Sequence, residues 1–357
     1  MALGGHMDVC SDCGEIAKPS YNSCGNRHCP KCQGLDKIRW LEAREQDLLP
    51  IQYFHVVFTL PHDLNELITY NQKQLYTLLF QSGAETLQAF AKKQWNGQLG
   101  LIGILHTWTQ TMYQHVHVHF VVTGGALTFD TQQWISCPKN YLFPVKNLAK
   151  VFKGIYLKRL RKAYQEGLLE LPSEDPRYFD YLEQELNYKN WIMYCKAPFS
   201  DSDCVLRYIS RYTHRVAMSN QRILSIKNSQ ITFTYRNGTK MDIMTLDAVE
   251  FIRRFLLHIL PKRFTRIRYY GLLVGQNRTT KLAQCRKLLG MPPWEEKARE
   301  PYDELMMRLY GEDVHACPSC GGRLVPFIEI TKRGNYLPTG PPKSPNNSIK
   351  YQDLSTA

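Results

Sequence analysis

What the sequence lacks narrows it first. No run of about 18 apolar residues occurs, so no membrane-spanning helix is predicted, and no signal-peptide pattern begins at Met1, so secretion is not supported. Acidic residues are scarce. Lys and Arg number 45 against 32 Asp and Glu, a net charge of +13 that favours a polyanionic partner over a basic one. No internal repeat is present, and no GxxxxGK phosphate loop. The 11 cysteines are not spread out as a disulfide framework. Seven crowd into two short stretches, as metal ligands do, which fits a reducing cytoplasm. Cys137, Cys195, Cys204 and Cys285 stand apart and read as small buried hydrophobes.

At 357 residues the chain can bury a substantial core, in two or three modules. Up to about Gln33 it is rich in Cys, Gly, Asn and Pro, with little apolar periodicity, so metal must hold that part together. A helical pattern over Leu35 to Leu49 precedes a β-type run, Ile51 to Leu60, that stops at Pro61. Amphipathic helix follows to about Trp95. Two more β-runs, Leu101 to Gln110 and His115 to Thr123, are separated by Thr111, Met112, Tyr113 and Gln114, which predicts an antiparallel hairpin. Lys146 to Leu186 reads as charged helix, and Asp201 to Val216 as a further helix. Ile223 to Leu246 alternates around an Arg236-Asn237-Gly238 turn, and a helix is expected from Asp247 to about Leu257. Pro338 to Ala357 has the composition of a disordered tail.

Two segments carry chemistry. His115, His117 and His119 alternate on one strand, so their imidazoles project from one face and two or three can meet one metal. Gln110, seven residues before His117, could add a neutral ligand across the hairpin, with His106 and His55 as rivals. Two imidazoles and an amide oxygen would leave positions on magnesium or manganese open for phosphate oxygens. In the second segment, Tyr208 and Tyr212 fall one helical turn apart beside a stripe of Arg207, Arg211 and Arg215. A phenol, with a reference pKa of about 10, needs cations or a metal-bound phosphate to become a nucleophile. Attack on a phosphodiester would give a phosphotyrosine and keep the broken bond's energy for rejoining. Metal, nucleophile and guanidinium clamp are the parts a strand transferase needs.

Cys10-x-x-Cys13 and Cys29-x-x-Cys32 have the spacing of zinc knuckles, each able to give two thiolates to a tetrahedral site. Cys24 and His28 lie between them, and Cys317-x-x-Cys320 forms a third knuckle. One arrangement gives Cys24, His28, Cys317 and Cys320 a second zinc; another recruits His6; in a third, the last knuckle is an incomplete pair.

With these residues in view, the chain resembles the insertion-sequence-91 type of rolling-circle transposase, a two-tyrosine HUH endonuclease. The likeness rests on YNSCGNRHCPKCQ, FTLP at Phe58 to Pro61, HVHFVVTGG at His117 to Gly125, RYISRYTHRVAMSN at Arg207 to Asn220, FIRRFLLHILPKRFTRIRYYGLL at Phe251 to Leu273, and CPSCGG. It implies an antiparallel sheet with His117 and His119 on a central strand and nucleophilic Tyr208 and Tyr212 on a facing helix. It also implies Gln110 as third ligand, because related initiators carry a carboxylate or amide at that spacing. The activity implied is nicking of single-stranded DNA at an element end, attachment to the 5′ phosphate, and strand passage by the second tyrosine, in the bacterial cytoplasm with a host helicase or replication machinery. Such proteins generally carry residues before ALGGH, which reads Met1 as a shortened start.

The expected fold is therefore α+β, a five-stranded antiparallel HUH core flanked by helices plus a small zinc module. Expected boundaries are 1–40 for the zinc module, 41–222 for the nuclease core with its tyrosine helix, 223–337 for a C-terminal hairpin and helical region, and 338–357 for the tail. Two other functions fit parts of the sequence. His115 to Val121 also satisfies the pattern of histidine-triad nucleotide hydrolases, and the knuckles alone would serve a non-catalytic zinc-dependent DNA binder.

Overall fold

The computed structural model describes residues 3–24, 26, 29, 34–196, 199, 204–205, 217–293, 295, 298, 300–332 and 335–338. Two compact units divide the chain, residues 27–294 and a unit made of 1–26 with 295–357. The expected boundary at residue 40 thus gives way to a unit that joins both ends of the sequence. The reason is strand pairing: Gly5–Cys10 runs antiparallel to Leu324–Ile330 and buries Met7 against Phe327, Ile328 and Ile330.

The larger unit is built on strands β1 (Tyr53–Thr59), β2 (Gly100–Trp108), β3 (Gln114–Thr123), β4 (Met193–Lys196) and, beyond a separate hairpin, β8 (Ile267–Gly271). Their order is β8-β2-β3-β1-β4, every pairing antiparallel, which is the five-stranded sheet expected, with the histidine strand β3 at its centre. Helix α1 (Gly34–Glu45) precedes the sheet; α2 (Gln72–Trp95), α3 (Val145–Gln165) and α4 (Tyr178–Tyr188) follow β1, β3 and α3 in turn.

Strict alternation gives the sheet two apolar faces. Val56, Phe58, Val118, Phe120 and Val122 pack on Leu75, Leu79 and Phe80 of α2 and on Phe152, Tyr156 and Leu160 of α3. Each such buried ring or branched chain contributes roughly 1.5–3 kcal/mol. Helix α2 comes close to the sheet because Gly83 faces Phe120; a Cβ there would stand 2.6 Å from that ring. The other face carries Tyr53, Ile102, Ile104 and Val121, covered by Leu48, Leu49, Leu272 and Leu273, and the histidines lie in the same alternation.

Between β4 and β8 stands a three-stranded sheet, β5 (Ile223–Lys227), β6 (Gln230–Asn237) and β7 (Lys240–Asp247). Asn228 and Ser229, both at positive φ, turn β5 into β6, and Gly238 at φ +60° serves the predicted turn after Asn237. Helix α5 (Ala248–Leu256) starts on Asp247, whose carboxylate accepts from the Val249 amide at 2.8 Å. Cys137 and Cys285 are buried as expected, while Cys195 and Cys204 are half-buried. Among the described residues no helix is long and apolar enough to cross a membrane.

Candidate metal centres and the clamped hairpin

His106 on β2 lies directly opposite His117 on β3, and the ligand nitrogens of His106, His117 and His119 all fall within 4.8 Å of one another. His106 Nδ1 stands 3.1 Å from His119 Nε2. Two nitrogens on one ion at about 2.1 Å would be separated by roughly 3.0 Å at a right angle and 3.4 Å at a tetrahedral one, so the spacing fits a shared metal. His117 Nδ1 donates to the carbonyl of His115 at 2.8 Å, which leaves Nε2 as its donor atom. His119 Nδ1 lies 2.8 Å from Nε2 of His55, a buried ring on β1 stacked at 16° to it. Burial brings the His117 pKa down to about 4 and the His55 pKa to about 3, so both rings are neutral at physiological pH, as ligation and its support require. His106 also stacks on Trp108, which in turn lies under the Arg266 guanidinium.

Of the two rivals named beside Gln110, His106 lies with His117 and His119, and His55 stands behind His119. Opposed residues sum to 223 as far as His106 and His117 and to 222 at Trp108 and Gln114, so the turn centres at about 111 and Gln110 falls inside it. Strand β2 ends at Trp108, after a register shift, and Met112 adopts φ +60° in the turn. His115, the third histidine of the strand, lies with its ring 4.9 Å from that of His117 and meets His62 at 3.1 Å.

The turn is held by groups from the far end of the unit. Arg222 donates to the Gln110 carbonyl at 2.6 Å, Arg254 to that of Thr111 at 3.2 Å, and His258 lies 2.9 Å from that of Met112. Arg254 is itself buried, paired with Glu250 at 2.6 Å and set over the Tyr113 ring at 4.1 Å. Met112 closes the arrangement by packing with Met218, Ile231, Phe233 and Phe251. Sequence reasoning missed this clamp, although Arg254 and His258, four apart in FIRRFLLH, share a helical face.

Tyr208, Tyr212, Arg207, Arg211 and Arg215 lie outside the described residues. On one side of them Val205 is fully buried in the cluster of Ile102, Ile104 and Val121; on the other, Met218 packs with Met112. The three histidines sit between those two points of the sheet face.

In the other unit the sulfurs of Cys10, Cys13, Cys317 and Cys320 also lie within 4.8 Å of one another, with Cys10 to Cys320 at 3.5 Å and Cys13 to Cys317 at 3.7 Å. A tetrahedral zinc with bonds of about 2.3 Å would separate its sulfurs by roughly 3.8 Å, so the four fit zinc. The two knuckles match: Gly14 and Gly321, both at positive φ, donate to the carbonyls of Cys10 and Cys317. Backbone amides of Cys13 and Asp12 lower the Cys10 pKa to about 7, while the neighbouring thiols of Cys13 and Cys10 push that of Cys320 up, as four sulfurs crowded together without a cation would. The first knuckle therefore meets the last one. Cys24 and Cys29 stand outside the cluster, and His28 and Cys32 lie outside the described residues.

Comparison with known proteins agrees with the zinc centre. A family described as "Transposase zinc-binding domain" matches residues 1–60, and one described as "Putative transposase" matches residues 100–281. The chain is 41% identical over 355 residues to the "Putative transposase y4qJ" of Sinorhizobium fredii (strain NBRC 101917 / NGR234), covering 96% of this chain and 88% of that one. It is 25% identical over 314 residues to the "Transposase for insertion sequence element IS801" of Pseudomonas savastanoi pv. phaseolicola, covering 85% of this chain and 74% of that one. No solved structure matches it.

Proposed function

The chain belongs to the IS91 family of transposases, enzymes that cut and rejoin DNA and carry an N-terminal zinc-binding domain, and from that premise we propose a metal-dependent tyrosine transesterase acting on single-stranded DNA. The observation that carries this reading is the convergence of His106, His117 and His119 on a sheet face whose two ends receive the described neighbours of the tyrosine segment. A histidine-triad hydrolase would leave the zinc knuckles and the transposase family matches without a role.

In this mechanism Tyr208 or Tyr212 attacks a phosphodiester phosphorus. The tyrosyl O–P bond forms and the bond from phosphorus to the 3′ oxygen breaks. The phenolic proton passes to solvent, and the departing oxygen takes one up to become a 3′ hydroxyl. The 5′ phosphate stays on the protein, and attack by another hydroxyl reverses the chemistry, so strands can be passed without hydrolysis. Arg207, Arg211 and Arg215 hold the phosphate. His106, His117 and His119 would hold a divalent ion, which supplies Lewis-acid stabilisation of charge at the phosphate. Three imidazoles suit manganese or another transition metal better than magnesium, which prefers oxygen ligands. His55 and the His115 carbonyl orient the ligand rings. Repeated cycles at element ends, with strands separated by a host helicase or the replication machinery in the bacterial cytoplasm, amount to rolling-circle transposition.

The test incubates labelled single-stranded oligonucleotides from the flanks of the gene with manganese and looks for a protein-linked 5′ fragment on denaturing gels. The adduct is expected with the native tyrosines and absent from the Tyr208→Phe, Tyr212→Phe double variant. If DNA is bound and zinc is in place but no adduct forms, the reading fails and a non-catalytic zinc-dependent DNA binder replaces it.

A further inference from the structure

Helix α3 lies on the sheet face opposite the histidines and breaks the usual rules for a surface helix. Its 21 residues hold seven Lys and Arg and no Asp or Glu. Lys146 stands in the first turn, where the helix macrodipole disfavours a cation. Lys146 and Lys150, and again Lys158 and Lys162, are like charges four apart, which destabilises a helix in isolation. Positions 146, 150, 154, 158 and 162 form one exposed row, about 24 Å long at 1.5 Å per residue. Gly154 at its middle leaves open space, and a groove of about 500 Å³ opens beside it, lined by Lys150, Lys153, Lys158, Arg161, Glu183 and Asn187 among others.

Neighbouring cations have structural work. Arg161 is held by Asp180 and Glu183, Arg159 by Glu85, and Lys153 Nζ donates to the carbonyls of Asn187 and Lys189 at the end of α4. Lys162 has Glu166 at 3.6 Å. Lys146, Lys150 and Lys158 have no acidic partner among the described residues. An uncompensated row that costs the helix stability calls for an anion outside the protein.

We propose that this row is a second DNA surface, which takes the sugar–phosphate backbone of a duplex segment while the strand to be cut occupies the histidine face. The proposal rests on the family's action on DNA and not on the tyrosine chemistry. The groove is lined by no aromatic ring on which unpaired bases could stack, which favours duplex over single strand. One strand of a duplex presents a phosphate about every 3.4 Å of axis, so a row of about 24 Å lies along roughly seven of them. The packed sheet separates the row from the histidines, so the two DNA segments would be held apart.

The zinc-loaded full-length protein tests this with the triple variant Lys146→Gln, Lys150→Gln, Lys158→Gln. A charge-matched control changes Lys73, Lys92 and Lys93 of α2 to Gln. Binding of a duplex of about 30 base pairs and of a single strand of about 12 nucleotides is followed by fluorescence anisotropy across salt concentrations. Loss of three phosphate contacts should flatten the plot of log K against log salt for the duplex by about 2.7, at about 0.9 per contact. Single-strand binding should be unchanged, and the control should keep the wild-type slope. An unchanged duplex slope, or an equal shift in the control, would overturn the proposal. Equal loss on single-stranded DNA would overturn it too, by assigning the row to the cut strand. A protein that nicks nothing would refute the tyrosine chemistry and leave the slope comparison intact.

Discussion

Replacing His55 with Phe keeps a ring in the same buried place but removes the nitrogen set 2.8 Å from His119 Nδ1. With His119 Nε2 committed to a metal shared with His106, Nδ1 would carry the proton and Nε2 of His55 would accept it. A buried donor stripped of its acceptor costs about 1–3 kcal/mol. Outer partners of metal-bound imidazoles are typically worth about 10–100-fold in metal affinity, or roughly 1.4–2.8 kcal/mol, so the two estimates agree. The assay is titration of Mn(II) into the zinc-loaded protein, with free ion read by its electron paramagnetic resonance signal. His55→Phe should weaken binding by about 10–100-fold. His55→Gln, whose amide oxygen can accept the same proton, should recover most of it. A ring that served only the core would alter the melting temperature of the metal-free protein and leave the manganese isotherm where it was. That result would refute the assignment of His55 as the support of His119.

Three further outcomes follow from the same geometry. His106→Ala should abolish manganese binding, whereas Gln110→Ala should change it by no more than about threefold, since only the backbone of Gln110 is held in the turn; the reverse order would restore the amide ligand. Cys317→Ser should remove one equivalent of zinc by elemental analysis and expose the Leu324–Ile330 strand to protease, while Cys29→Ser should leave the Cys10 centre filled. In acid, His55 and His117 of the metal-free protein stay neutral down to about 3 and 4, while their unfolded counterparts take up protons near 6.5. Unfolding then binds protons between about pH 6.5 and 4, so stability should fall through that window by roughly 3 kcal/mol for His117 alone. Denaturant midpoints that stay flat from pH 7 to 4.5 would contradict the burial of these rings.

Much of the larger unit was legible because its signals are local. HVHVHF alternates strictly, and the structure places it at the centre of the sheet with its valines and Phe120 on one face and its histidines on the other. The long helix ending at Trp95 and the turn after Asn237 were equally plain. Edge strand β8 was not, since Ile267–Gly271 has too little alternation to announce a strand and becomes one only by pairing with Gly100–Ile104. Zinc ligands could be counted but not paired. Two thiolates three residues apart are half a site, and which half completes it depends on strands some 300 residues apart meeting in the smaller unit.

The third ligand shows where local reading runs out. Whether Gln110 or His106 faces His117 depends on where the turn falls: the two lie four apart on one face of the strand, so a turn centred two residues later would exchange them. Nothing within residues 101–123 settles that position. It is settled by Arg222, Arg254 and His258, which engage three consecutive carbonyls at 110, 111 and 112, and by Met112, whose side chain is buried among residues of the later sheet and helix. The ligand set at the histidine face is therefore written partly in residues that follow it by more than a hundred positions. Loosening the clamp, for example by Arg254→Met, should let the turn relax and weaken manganese binding although Arg254 belongs to no metal cluster. The identity of a ligand here is a property of register, and register is held from a distance.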